Sequence, residues 1–80
     1  MSNHGKPPEV EVFTQSHCTN CRRVDQFLRE RGMPFTVRDV GADPAALEAI
    51  ASRGYMSTPV TRVGERWVVG FNRRELERLT

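Results

Sequence analysis

Cys18 and Cys21 are the only cysteines of this 80-residue chain, and Thr19 and Asn20 stand between them. Two thiols in a C-x-x-C arrangement can cycle between dithiol and disulfide. The thiolate is the attacking species, and a thiol at the ordinary pKa of roughly 8.5 is only a few per cent ionised at neutral pH. Cys18 therefore needs surroundings that favour its charged form. A helix N-terminus supplies them, because unpaired N–H groups and the positive end of the dipole converge there. Cys21, three residues on, falls on the same face one turn away. The spacing predicts a division of labour. Cys18 attacks a substrate disulfide and forms a mixed disulfide. Cys21 then attacks the Cys18 sulfur and releases the reduced substrate. An external reductant restores the pair.

His17 directly precedes the proposed nucleophile. As an imidazolium it would hydrogen-bond the thiolate. As an ordinary loop residue it would face solvent, and the sequence identifies no group to orient it. Thr58-Pro59 is the second informative site, a proline just before an apolar stretch. Taken alone it reads as a trans turn opening a strand, although X-Pro bonds also adopt cis.

These residues need elements to hold them. Val10 to Phe13 reads as a strand, with Val10 and Val12 on one face and Phe13 on the other. A helix should begin near Cys18 or Thr19. Its stripe is Val24, Phe27 and Leu28, and Gly32 and Pro34 stop it. Phe35 to Val40 makes a second strand, with Phe35 and Val37 on one face. Asp43-Pro44 starts a second helix, since Asp43 can cap free N–H groups and proline suits the first helical position. Leu47, Ile50 and Ala51 supply its buried stripe, and Gly54 ends it. Val60 to Val63 and Trp67 to Val69 flank Gly64-Glu65 as an antiparallel hairpin. The last helix opens with Asn72 and Glu75 as a capping-box-like pair and Phe71 and Leu76 as a staple. Leu76 and Leu79 face inward.

The order is β-α-β-α-β-β-α. A strand-helix-strand unit pairs its strands in parallel, and the hairpin adds two antiparallel members. The fold class is α/β, a mixed four-stranded sheet flanked by three helices. Residues 1–8 read as a flexible arm and residues 9–80 as the single domain.

Composition narrows the function. Hydrophobic residues make up 38% of the chain, enough for one core. Two cysteines are too few for a disulfide-stapled secreted scaffold, and so short a loop would add little stability. The N-terminal segment lacks the apolar core of a secretory signal, and no run approaches a membrane span. A cytoplasmic, monomeric protein without membrane or nucleic-acid partners is expected. The net charge of +2 is mild, and Arg22-Arg23 and Arg73-Arg74 come without a nucleic-acid-binding motif, so they read as solvated helix faces. Binding of a metal or an iron–sulfur cluster through the C-x-x-C is the rival chemistry. Cys18, Cys21, His17 and His4 nominally offer four ligands, but the second ligand pair of common zinc modules is missing.

Together the residues resemble the glutaredoxin-like branch of the thioredoxin superfamily. The matching pieces are Val12-Phe13-Thr14, the C-x-x-C at 18–21, Gly54-Tyr55, Thr58-Pro59-Val60, and Trp67 with Gly70-Phe71. They run in family order along nearly all of the chain after residue 8. The resemblance implies a thioredoxin-like fold and a thiol–disulfide oxidoreductase with Cys18 as nucleophile and Cys21 as resolver. It implies a cis peptide before Pro59 and a substrate-binding surface that includes His17, Thr58, Pro59, Gly70 and Phe71. Tyr55, Trp67 and Phe71 could help build a docking surface near the thiols.

Within the branch the tail is most similar to redoxins that serve ribonucleotide reductase, which carry a Gly-Tyr before the proline and a Trp near a Gly-Phe. Here the gap after Trp67 is one residue longer. Those redoxins are typically reduced by thioredoxin reductase and NADPH. Ordinary glutaredoxins have Gly-Gly followed shortly by aspartate, which helps hold glutathione, and Pro-Tyr or Pro-Phe between the cysteines. This chain has Gly70-Phe71-Asn72 and Thr19-Asn20. The expected electron donor is therefore thioredoxin reductase, with glutathione or another low-molecular-weight thiol such as mycothiol as the alternative. No bound cofactor is expected beyond the redox-active Cys18–Cys21 disulfide.

Overall fold

The computed structural model describes residues 9–79. The arm expected over residues 1–8 lies outside them. Seven elements follow in the expected order: β1 (Val10–Thr14), α1 (Thr19–Glu30), β2 (Thr36–Asp39), α2 (Pro44–Ala51), β3 (Val60–Val63), β4 (Arg66–Val69) and α3 (Arg73–Leu79). The sheet order is β2-β1-β3-β4. β1 pairs in parallel with β2 and antiparallel with β3, and β4 closes the hairpin antiparallel to β3.

Local chemistry explains where the helices begin and end. Asp43 Oδ1 accepts from the N–H of Ala45 at 3.0 Å and of Ala46 at 3.3 Å, so it caps the helix that Pro44 opens. Asn72 Oδ1 accepts from the Glu75 N–H at 3.1 Å at the start of α3. The two longer helices stop alike. Met33 N donates to Leu28 O and Gly32 N to Arg29 O, while Tyr55 N donates to Ile50 O and Gly54 N to Ala51 O. This paired closure needs a left-handed residue, and Gly32 (φ +68°) and Gly54 (φ +82°) provide it without a Cβ clash.

The sheet separates two apolar clusters. Val10 and Val12 of β1, Val63 and Val68 meet Val24, Phe27 and Leu28 of α1 and Leu76 of α3 on one face. Phe13 and Val60 meet Ala46 and Ile50 of α2 on the other. The alternation of Val12 and Phe13 thus feeds both layers. Burying each such side chain is worth about 1.5–3 kcal/mol, which is how a short chain holds a sheet between two layers.

One expectation about burial and one about the extent of a strand need correction. Ile50 is buried as expected, but Leu47 and Ala51 are exposed and Ala46 is buried in their place. Nearly every residue of α2 is apolar, so periodicity does not choose its face. Small Ala46 lets the helix approach the sheet, and Ile50 follows one turn later. The second strand is also shorter than Phe35 to Val40. Phe35 packs against the first cluster, but Val37 is half exposed because β2 is an edge strand beside an open cleft.

Candidate active site

β1 ends at Thr14, and Gln15, Ser16 and His17 carry the chain over the end of the sheet to α1. His17 has φ +60°, a left-handed conformation that turns the backbone sharply before the cysteines. Cys18 is then the N-cap of α1, with extended backbone (φ −110°, ψ 106°). Its Sγ accepts from the Cys21 N–H at 3.1 Å, as a serine oxygen would in an ordinary cap. The Cys18 sulfur is thus held against a donor that the first turn of the helix leaves without a backbone partner.

Cys18 and Cys21 are joined as a disulfide, with Cα atoms 5.2 Å apart. Cys18 is partly accessible and Cys21 is buried. The asymmetry matches the two roles. An incoming sulfur can reach Cys18, whereas Cys21 is shielded from partners other than Cys18. A cleft of about 460 Å³ opens beside the pair, walled by His17, Cys18, Cys21, Arg22, Asp25 and Val37 among others. Arg22 lies in the first turn of the helix and adds positive charge near the thiols. Among the described residues no group of three or more His, Cys, Asp or Glu side chains gathers in a metal-ligating arrangement. His4 lies outside the described residues.

Thr58-Pro59 arrives from the other side of the sheet, just before β3, and the bond between them is cis. The Thr58 hydroxyl lies 3.7 Å from Cys18 Sγ and 3.4 Å from Gln15 Oε1, and can donate to either. Pro59 is buried, and its carbonyl accepts from Gly70 N–H at 2.7 Å. That bond ties Gly70 to the Thr58-Pro59 turn. Phe71 follows and packs edge-on against Phe27 of α1, with centroids 6.4 Å apart.

Trp67 does not join the thiols. It stacks on Phe13 at 5.8 Å and lies 5.9 Å from Tyr55, with the Arg53 guanidinium 4.6 Å over its ring. This is the α2 face of the sheet, whereas Val12 and Val37 wall the thiol cleft. The reason is register: Trp67 stands opposite Arg62, and Arg62 opposite Glu11, near the far end of β1. Tyr55 instead borders a smaller apolar groove with Met56 and Thr58. One contributor, Gln15, escaped sequence reasoning. Gln15 and the side chain of Thr58 meet across 43 residues, and no motif or period marks that contact.

The family model described as Glutaredoxin matches residues 10–68. The chain is 27% identical over 70 residues to the glutaredoxin-like protein NrdH of Escherichia coli (strain K12), covering 88% of this chain and 86% of that one. It is 26% identical over 70 residues to the protein of the same name in Lactococcus lactis, covering 88% and 97%. Among solved structures, the NrdH-redoxin from Escherichia coli superposes with a TM-score of 0.85 at 26% identity, over 90% of this chain and 95% of that one. That structure was described as the basis of a thioredoxin-like activity profile. The thioredoxin-like protein BC3987 superposes with a TM-score of 0.83 at 30% identity, over 90% and 100%.

Proposed function

The chain belongs to the glutaredoxin family, whose members are thiol–disulfide oxidoreductases, and on that premise we propose that it reduces protein disulfides with electrons from thioredoxin reductase. Cys18 is the nucleophile. Its sulfur sits at the N-cap of α1, accepts from Cys21 N–H, and has the Thr58 hydroxyl within reach, and this observation carries the reading. Each contact would favour the thiolate over the thiol once the pair is reduced. The thiolate attacks a substrate disulfide, one substrate sulfur leaves with the electron pair, and a mixed disulfide remains. Cys21 loses its proton and attacks Cys18 Sγ. The second substrate sulfur departs, and the disulfide of the present structure re-forms. An extended substrate strand would lie along Thr58-Pro59, bordered by His17 on one side and Gly70-Phe71 on the other.

The donor assignment rests on two supports. The similar redoxin of Escherichia coli was described with a thioredoxin-like profile. Gly70-Phe71-Asn72 also lacks the acidic residue expected of a glutathione site. The compartment we favour is the cytoplasm, where thiols are usually kept reduced. The substrate we favour, from the resemblance of the tail, is ribonucleotide reductase.

NADPH consumption tests the reading. Turnover with thioredoxin reductase should exceed turnover with glutathione and glutathione reductase at equal redoxin concentration, and Cys18→Ser should abolish both. Faster turnover in the glutathione arm would overturn the donor assignment and leave the disulfide chemistry standing.

A further inference from the structure

Among the described residues, Thr61 carries the one fully buried side-chain hydroxyl without a hydrogen-bond partner. A buried hydroxyl with no partner is unfavourable, because folding strips its water and returns nothing. Thr61 sits in β3, two residues after Pro59. It stands opposite Val12 of β1 and Val68 of β4, so both cross-strand neighbours are hydrocarbon. The buried side chains of the cluster on that face are all valine, leucine and phenylalanine, with Met33 packed against them at its partly exposed rim.

Sulfur breaks that uniformity. Val12 walls the thiol cleft together with Cys21, and paired residues on one face place their Cβ atoms about 4.5–5.5 Å apart. Cys21 is the first buried residue of α1 and stands one turn before Val24, which joins this cluster with Phe27 and Leu28. Thr61 is thus paired with a valine that lines the same cleft as Cys21. In the disulfide, the Cys21 sulfur is tied to Cys18 and Thr61 has no acceptor. Reduction breaks the S–S bond and leaves the Cys21 side chain free to rotate.

We propose that Thr61 is a positioning residue that sets the reduction potential: its hydroxyl donates to the Cys21 sulfur in the dithiol form and is left unpaired in the disulfide form. This rests on the reading of Cys18 and Cys21 as the working redox pair. The half-reaction is conventional. The S–S bond takes up two electrons and two protons and becomes two thiols, and a dithiol buffer supplying them closes its own disulfide. Thr61 changes the equilibrium, not the stoichiometry. A hydroxyl paired only after reduction favours the dithiol and makes the protein a stronger oxidant.

Thr61→Val keeps the branched shape and deletes the hydroxyl. Equilibration of the full chain against a glutathione redox buffer should shift toward the disulfide by about tenfold, which is about 30 mV more reducing. Thr61→Ser should return toward the native value. The second readout is thermal. Thr61→Val should raise Tm of the disulfide form and leave that of the dithiol form unchanged or lower. A merely structural role would move both forms equally and leave the potential alone, and that result would overturn the proposal. Thr61→Ala, measured the same way, decides the matter if the valine variant does not fold. Native protein that fails to reduce any protein disulfide would sink the function reading instead, because the potential is measured without a protein substrate.

Discussion

The Thr58 hydroxyl approaches Cys18 Sγ to 3.7 Å, joining residues 40 apart in the chain. The donor comes from the turn before β3 and the acceptor from the cap of α1. Neither element alone builds the site. Replacing Thr58 with valine removes the donor and keeps the branched shape. A hydrogen bond of about 1 kcal/mol to the thiolate corresponds to about a fivefold loss of ionised Cys18 below its pKa. The rate of Cys18 alkylation by iodoacetamide should fall by about that factor on the acidic limb of its pH profile and recover at high pH. An unchanged pH profile would show that this contact does not act on the thiolate.

Burial distinguishes the two cysteines, and their variants should differ accordingly. Cys21→Ser keeps the accessible sulfur and removes the resolving one, so it should accumulate a mixed disulfide with a protein substrate. Mass spectrometry of the non-reduced adduct reads this directly. Cys18→Ser should form no adduct. The reverse outcome would exchange the two roles.

Two leucines that look equivalent as letters should differ in stability. Leu28 is fully buried in the first cluster, whereas Leu47 is half exposed. Leu28→Ala leaves a cavity and should cost about 2–5 kcal/mol, a large part of the stability of a small domain. Leu47→Ala should cost less than about 1 kcal/mol. Urea midpoints at constant slope measure both.

Asp43 links the fold to pH. Its pKa lies below the ordinary aspartate value, chiefly because Ala46 N–H donates to the carboxylate, with the Arg38 guanidinium adding to the effect. A carboxylate with a depressed folded pKa stabilises above its unfolded value of about 3.9, and that stabilisation disappears as pH falls through the folded value. Asp43→Asn retains a capping side chain and loses the charge. Its Tm should lie below native at neutral pH, and the gap should close in acid below about pH 4. Because the carboxylate is partly exposed, added salt should also shrink the gap. A gap that persists undiminished in acid would show that the charge plays no part.

Much of this architecture is local and therefore written in the chain. Cys18 at the head of a helix, Asp43 before Pro44, Asn72 facing Glu75, and glycine after each longer helix all act through neighbours within a few residues. The alternation of Val12 and Phe13 likewise announces a strand buried on both faces. The α2 face was harder to read, because Ala46, Leu47, Ile50 and Ala51 are all apolar and only packing on Phe13 and Val60 selects among them.

Sequence alone thus determined the element order and the reactive pair, since caps, turns and periodicity depend on short-range sterics and hydrogen bonds. Tertiary structure decided which donors meet which sulfur. Thr58 reaches Cys18, Gly70 locks Pro59, Trp67 turns to the opposite face, and Thr61 is sealed among valines only once the strands take the order β2-β1-β3-β4. Strand order and register bring together residues far apart in the chain, and no local preference encodes such a meeting.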